Sequence, residues 1–98
     1  MGIKLPPNEL EFYERIGEIL FYKWDPIGIS NIGGPKDEYQ SYLPQIFKLA
    51  MNNNNPEIIA KYLSEVTTVN IGLPLNAAHD INIANLIIQS KKSAGLQK

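Results

Sequence analysis

Cysteine is absent from this 98-residue chain, and histidine occurs once, at His79. Without cysteine there can be no disulfide bond, no thiolate nucleophile and no cysteine-based metal site. A metal site needs several convergent ligands, and the chain offers no second histidine and no cysteine beside His79. On a helix the neighbouring Asp80 diverges from His79 by about 100°. We therefore expect a surface or capping role for His79, no cofactor, no metal and no enzymatic activity.

Long hydrophobic runs are also missing. No window approaches the roughly 18 apolar residues of a membrane span, and the opening MGIKLPPNELEF lacks the apolar core of a signal peptide. The net charge is only −1, which argues against nonspecific binding to nucleic acid. We predict a cytoplasmic protein that has neither a membrane nor a nucleic acid as its partner.

The acidic side chains that are present concentrate in the first third of the chain. Residues 1–38 carry seven acidic and four basic side chains, whereas residues 39–98 carry three acidic and five basic ones. This acidic third could face a basic partner, or it could be a solvated helix face, which is the ordinary state of such residues. The pairs Glu14/Glu18 and Asp37/Glu38 would suit acid–base chemistry only in a dry pocket, so we favour a structural interpretation.

Apolar residues at helical spacing predict two helices in the first half of the chain. The first covers residues from Asn8, its cap, to Lys23, and Leu10 lies on its apolar stripe. The second runs from Pro35 to residue 51, with Asp37 and Glu38 in its first turn. Pro44 predicts a kink or a short break in it, unless the regular helix begins only near residue 41.

Two more helices are predicted in the second half. The third is capped by Asn55, buries a stripe that includes Val69 and ends at Gly72. The β-branched run 66–69 weakens its helical propensity and could equally form an extended end. The fourth covers residues 75–91. The predicted fold class is an all-α, compact four-helix bundle. It forms a single domain over residues 1–98, with frayed ends at 1–7 and 93–98 and a Trp-Asp-Pro loop between helices 1 and 2.

The aromatic residues allow two interpretations. Trp24 in FYKWDPIGIS either folds back to plug the end of the bundle or anchors a partner, since Trp and Tyr dominate the energetics of protein interfaces. Tyr39 and Tyr42 fall on the core stripe of helix 2, and the core is the more frequent location of such residues. A tyrosine at the edge of a stripe can still present its hydroxyl to a partner.

The succession WDPIGI, KDEYQSYLPQIFKLA and PEIIAKYLSEV resembles a family of small bacterial helical proteins, and the resemblance covers residues 10–72. The family includes proteins similar to the immunity proteins encoded beside polymorphic, contact-dependent growth-inhibition toxins. The resemblance implies an inhibitor that binds a toxin's C-terminal domain and blocks its active site or its access to substrate. Such toxin domains are frequently nucleases. The matching positions are Trp24, Asp25, Pro26, Ile27, Gly28, Asp37, Glu38, Tyr39 and Tyr42.

We therefore expect a monomer that captures one cognate toxin domain, with the interface on the acidic face of helix 1 and the start of helix 2. The alternative is a small regulatory or structural helical module, alone or as a homodimer, with no toxin partner. The expected toxin-binding residues are Glu11, Glu14, Glu18, Asp25, Asp37, Glu38, Tyr39 and Tyr42.

Overall fold

The first helix begins one residue earlier than predicted. The computed structural model describes residues 5–35 and 37–96, and helix α1 spans Pro7–Ile19. Pro7 suits the first helical turn, where its missing N–H has no partner to lose. Pro6 is the N-cap and makes no side-chain capping bond. The predicted cap at Asn8 is therefore wrong, and Leu10, predicted to be buried, is exposed.

A π-helical segment, Leu20–Trp24, extends α1 without a break. The amide of Asp25 closes it by donating to the carbonyl of Leu20 at 3.0 Å. Trp24 is thus the last residue of the helix, and the loop begins at Asp25. A π turn adds one residue to the ordinary helical turn and is frequent at functional sites.

The chain then passes through two short 3₁₀ turns, Ile29–Ile32 and Gln40–Tyr42, before helix α2 spans Leu43–Asn52. The predicted start of helix 2 at Pro35 is wrong. The alternative of a later start is closer to the structure, because Pro44 lies in the first turn of α2, where proline is tolerated.

Helix α3 spans Pro56–Glu65, and the side chain of Asn55 caps it by accepting from the amide of Glu57 at 2.9 Å. A second π-helical segment, Val66–Ile71, follows and ends at Gly72, whose φ of 84° is left-handed. The cap and the glycine stop are confirmed. Val69 is 78% exposed rather than buried, because the extra residue of the π turn rotates it away from the core stripe.

Helix α4 spans Ala77–Ser93 and is capped by the side chain of Asn76. Beyond it, the amide of Leu96 donates to the carbonyl of Lys91 at 3.1 Å, and Gly95 adopts φ 76°. Together these form a glycine-terminated helix end. Ser93, expected to fray, thus ends α4, and residues 94–96 form a hydrogen-bonded turn. Pro7, also expected to fray, lies in α1, and residues 1–4 and 97–98 lie outside the described residues.

The four helices pack as the predicted all-α bundle. Helices α3 and α4 make the most extensive contact, α1 packs on α4 and α2, and α2 also contacts α3. The described part of the chain contains no strand. Within it, no helix combines the length and the apolar character needed to cross a membrane. The larger core side chains are Phe12, Ile16, Leu20, Trp24, Tyr39, Ile46, Ile59, Leu63, Val66 and Ile87.

Candidate partner-binding surface

Trp24 closes one end of the bundle. Its side chain is 1% exposed, and its ring centroid lies 5.3 Å from that of Tyr39 and 6.4 Å from that of Tyr42. The indole Nε1–H donates a 3.0 Å hydrogen bond to Oδ1 of Asp80 on α4. The one polar atom of this buried ring is therefore satisfied. The interpretation of Trp24 as a plug at the end of the bundle is confirmed.

Asp25 organises the loop after Trp24. Its backbone is left-handed, with φ 32° and ψ 62°, the one positive φ outside glycine among the described residues. Its Oδ1 accepts from the amides of Gly28 and Ile29, at 3.1 and 2.9 Å. Its Oδ2 accepts from the amide and the hydroxyl of Ser30, at 3.0 and 2.5 Å. Aspartate tolerates this backbone conformation because its short side chain bonds to nearby groups.

Tyr39 ties this loop to the segment that precedes α2. The residue is 2% exposed, and its hydroxyl donates to Oδ1 of Asp25 at 2.7 Å and accepts from the amide of Ile27 at 3.1 Å. Burial, and then the hydrogen bond to the Asp25 carboxylate, raise the pKa of Tyr39 well above its ordinary value. The hydroxyl therefore remains protonated, and remains a donor, at neutral pH.

Two opposing effects act on the pKa of Asp25. Burial is the larger single effect and raises the pKa, whereas hydrogen bonds from the Ser30 and Tyr39 side chains and from the amides of Ser30 and Ile29 lower it. Their sum holds the pKa of Asp25 below its ordinary value. The expectation that Tyr39 contacts a partner is corrected because its side chain is buried, whereas the same expectation for the half-buried Asp25 stays a prediction. Tyr39 is buried and both oxygens of Asp25 bind their own loop, so these two residues form a scaffold.

Asp37 and Glu38 are exposed and lie in a turn rather than in the first turn of helix 2. The amide of Glu38 donates to the carbonyl of Pro35 at 3.3 Å, and the amide of Gln40 donates to the carbonyl of Asp37 at 3.2 Å. The expected position of these carboxylates in the first turn of helix 2 is therefore wrong, since α2 begins five residues after Glu38. Both carboxylates are exposed on the turn that Tyr39 anchors.

Glu11, Glu14 and Glu18 are exposed on α1 at helical spacing, but they border two different clefts. Glu14 and Glu18 line a groove of about 350 Å³ between α1 and the 3₁₀ turn before α2, together with Gln40. Glu11 lines a different cleft, of about 310 Å³, between α1 and α4. Glu11 thus borders a different cleft from Glu14, although the two residues lie one helical turn apart.

Tyr42 lies half-buried at the end of that 3₁₀ turn, with its ring against the edge of Trp24. The structure thus divides the eight expected toxin-binding residues. Four of them are exposed near the contact of α1 with the turns before α2: Glu14, Glu18, Asp37 and Glu38. Glu11 is exposed beside the cleft between α1 and α4. Asp25 and Tyr39 form the scaffold, and Tyr42 is half-buried beside it.

The buried polar residues of α4 went unpredicted. Asp80 is 2% exposed; its Oδ1 accepts from Trp24 and its Oδ2 accepts from the hydroxyl of Ser64 at 2.8 Å.

The expected capping role of His79 is incomplete. Its amide donates to Asn76 Oδ1, but its ring is half-buried, with Nε2 2.8 Å from the carbonyl oxygen of Trp24. Since a carbonyl only accepts, Nε2 must carry the proton.

Lys91 is the second buried charge of α4, at 3% exposure, and its Nζ donates to Asn54 Oδ1 at 3.0 Å in the asparagine loop. A signal for both residues exists in the sequence. Asp80, Ile83, Ala84, Ile87 and Lys91 follow the helical spacing of one face, and a charge on the apolar face of a helix indicates a buried, bonded group.

No group of three or more His, Cys, Asp or Glu side chains within residues 5–35 and 37–96 is arranged to hold a metal ion. Asp80 and His79 line a pocket of about 170 Å³, where each Asp80 oxygen already accepts a hydrogen bond.

Comparison of the chain with models of known families, with curated proteins and with solved structures gives no match. The function must therefore be argued from the surface itself.

Proposed function

We propose that this chain is a non-enzymatic immunity protein that acts in the cytoplasm. It binds one cognate bacterial toxin domain and blocks the toxin's active site or its access to substrate. The observation that carries the proposal is that buried residues of the WDPIG and DEY segments hold a turn whose two carboxylates are exposed. Trp24 and Tyr39 are buried with their rings in contact, and Tyr39 donates a hydrogen bond to the half-buried Asp25. The turn that Tyr39 anchors displays Asp37 and Glu38 to solvent.

The exposed carboxylates give this surface a charge that suits a basic protein. Gln40, two residues after Glu38, lines the same groove as Glu14 and Glu18, so the two acidic segments border one region. Complementary charge speeds association and excludes wrong partners more than it adds affinity. Toxin domains that act on nucleic acid have basic surfaces, and a nuclease domain is the partner class that fits this region best.

The alternative of a regulatory or structural homodimer has less support. It would be favoured by a large apolar face left open on α4. In the structure, Ile83, Ala84, Ile87 and Ile88 of α4 are buried, and Ile81 and Leu86 are half-buried. We therefore place the alternative second.

Growth protection tests the proposal. The chain is co-expressed with the C-terminal domain of the toxin-like protein encoded next to it, and growth is measured with and without induction. We expect the wild type to restore growth and to co-purify with that domain at a 1:1 ratio. Failure to protect, or the lack of any toxin-like gene beside it, would contradict the proposal.

A charge-reversed variant locates the surface. The variant combines four substitutions: Glu14→Lys, Glu18→Lys, Asp37→Lys and Glu38→Lys. Its affinity for the toxin domain should fall by about 100-fold, because mutating close interface charges weakens binding by several kcal/mol in total. The matched control, Glu57→Lys with Glu65→Lys on α3, changes exposed charges away from the groove and should bind as the wild type does. Thermal unfolding of both variants verifies that they fold.

A further inference from the structure

The groove between α1 and the 3₁₀ turn before α2 combines an apolar floor with aromatic and acidic walls. Two parallel rows of residues from α1 and the π-helical segment that extends it line the groove, because positions four apart lie nearly one above the other on a helix. One row is Tyr13, Gly17 and Phe21, and the other is Glu14, Glu18 and Tyr22. Leu43 and Gln40 complete the opposite side. The volume, about 350 Å³, accommodates a long side chain rather than a large ligand.

The floor of the groove depends on Gly17. A Cβ built at this position would lie 3.4 Å from Nε2 of Gln40 and 3.5 Å from Cδ2 of Leu43. Phe21 and Leu43, both buried, form the base, whereas Tyr22 is 54% exposed. The rings of Phe21 and Tyr22 meet edge to face, with centroids 4.8 Å apart, and this contact holds the Tyr22 ring at the groove wall.

The two carboxylates of the groove differ in how far the chain itself neutralises them: Glu18 has the nearby Arg15, and Glu14 has no such partner among the described residues. Glu14 and Glu18 carry like charges one helical turn apart, an arrangement that destabilises a helix. The Arg15 guanidinium lies 3.8 Å from Glu18, but both side chains are largely exposed and Arg15 does not line the groove. Within the described residues, Glu14 has no ion-pair partner. A cation entering the groove would relieve this repulsion.

We infer that the groove binds an arginine side chain of the protein partner, with its guanidinium between the Glu14 and Glu18 carboxylates and the ring of Tyr22. This inference rests on the proposed function, since it names the partner group that the same surface recognises. The methylene stem of the arginine packs on Phe21 and Leu43, and its charged end reaches the carboxylates at the rim.

Arginine fits better than lysine for two reasons. Its planar guanidinium can donate two parallel hydrogen bonds to one carboxylate and stack on an aromatic face at the same time. The lysine ammonium is a compact, strongly hydrated charge that gains less from a flat, half-exposed ring. The geometry of one ring beside two carboxylates therefore selects for arginine.

The test uses blocked pentapeptides, acetyl-Gly-Gly-Xaa-Gly-Gly-amide, with arginine, lysine or citrulline at the centre. Each is titrated at low ionic strength into the isotope-labelled wild-type chain, and amide resonances are followed by NMR. We expect the arginine peptide to shift resonances of residues 13–22 and 40–43, with lysine binding about three-fold more weakly. Citrulline, which keeps the shape and removes the charge, should not bind.

Variants assign the binding to the groove. Glu14→Gln with Glu18→Gln, and separately Tyr22→Leu, should each weaken the arginine peptide by about five-fold or more. Glu65→Gln, an exposed carboxylate on α3, is the control and should change nothing. Shifts of equal size around every exposed carboxylate, or equal binding of arginine and lysine, would overturn the inference.

The outcomes separate this inference from the proposed function. If the chain protects against the toxin domain and the Glu14→Gln, Glu18→Gln variant protects equally well, the groove is not the arginine site although the immunity function stands. If the arginine peptide binds in the groove but the chain captures no toxin domain, the groove is an arginine-binding site and the proposed immunity function is wrong.

Discussion

The hydroxyl of Tyr39 donates a 2.7 Å hydrogen bond to the carboxylate of Asp25, 14 positions earlier in the chain. The bond joins two segments of the chain, because Asp25 belongs to WDPIG and Tyr39 to DEY. Both groups that form this bond also make further hydrogen bonds. Asp25 accepts four further hydrogen bonds within its own loop, and the Tyr39 oxygen accepts one from Ile27. The segments therefore form one structural unit.

Tyr39→Phe should lower the free energy of unfolding by about 1–3 kcal/mol, because it removes a donor from Asp25 and an acceptor from the Ile27 amide. Urea denaturation monitored by Trp24 fluorescence measures the change. Tyr13→Phe is the control: Tyr13 is half-buried on α1 and packs its ring against Phe47, so losing its hydroxyl should cost less than about 0.5 kcal/mol. Equal losses in the two variants would show that the Tyr39 hydroxyl contributes nothing specific.

The lowered pKa of Asp25 predicts sensitivity to acid. The folded state binds a proton at Asp25 less readily than the unfolded state does. The stabilisation is therefore present above the unfolded pKa of about 4, and it is lost as pH falls through the folded pKa. Urea denaturation between pH 6 and 2 should show this loss. In Asp25→Asn the loss attributable to this group should vanish, and an unchanged pH profile would contradict the assignment.

The elements that local chemistry determines could be predicted from the sequence. Asn55 before Pro56 and the glycine at Gly72 define α3 because capping and left-handed backbone are properties of single residues. The start of α2 was less predictable. The apolar spacing of Tyr39 and Tyr42 continues that of α2, and spacing alone does not distinguish a 3₁₀ turn that packs on the core from a regular helix.

The site was less predictable than the fold because long-range hydrogen bonds decide it. The carboxylates of Glu14 and Glu18 could be placed on an exposed face, since a helix has a fixed period. The scaffold role of Asp25 depends on Tyr39, and the burial of Asp80 depends on Trp24, 56 residues away. A pattern within one helix carries no information about which distant side chain meets it.

Asp80 supports Trp24 and can be tested directly. Asp80→Ala should destabilise the protein by about 2–4 kcal/mol, since it leaves the buried indole N–H without an acceptor and removes the partner of Ser64. Asp80→Asn keeps one oxygen for the indole and should cost less. Ser64→Ala, which removes the Ser64–Asp80 hydrogen bond and leaves the Trp24–Asp80 bond in place, should cost about 1 kcal/mol. Chemical denaturation of the three variants should follow that order, and a larger effect of Asn than of Ala would refute the arrangement.

Two glycines should respond in opposite ways to alanine. At Gly34 a Cβ would lie 2.7 Å from Cβ of Ile29 and 3.2 Å from its carbonyl oxygen, to which the Gly34 amide donates. The loop must shift to admit it, so Gly34→Ala should cost about 1–3 kcal/mol. Thermal and urea denaturation measure this cost.

Gly17 is the matched contrast, because it lies inside α1 and its added Cβ would make only ordinary contacts with Gln40 and Leu43. Alanine favours a helix interior over glycine by up to about 1 kcal/mol, so Gly17→Ala should stabilise the chain by about 0.5–1 kcal/mol. The same methyl group also raises the floor of the groove. Gly17→Ala should therefore bind the arginine pentapeptide more weakly while unfolding at a higher temperature. A variant that lost stability at Gly17 would show that α1 and the 3₁₀ turn approach more closely than the contact distances indicate.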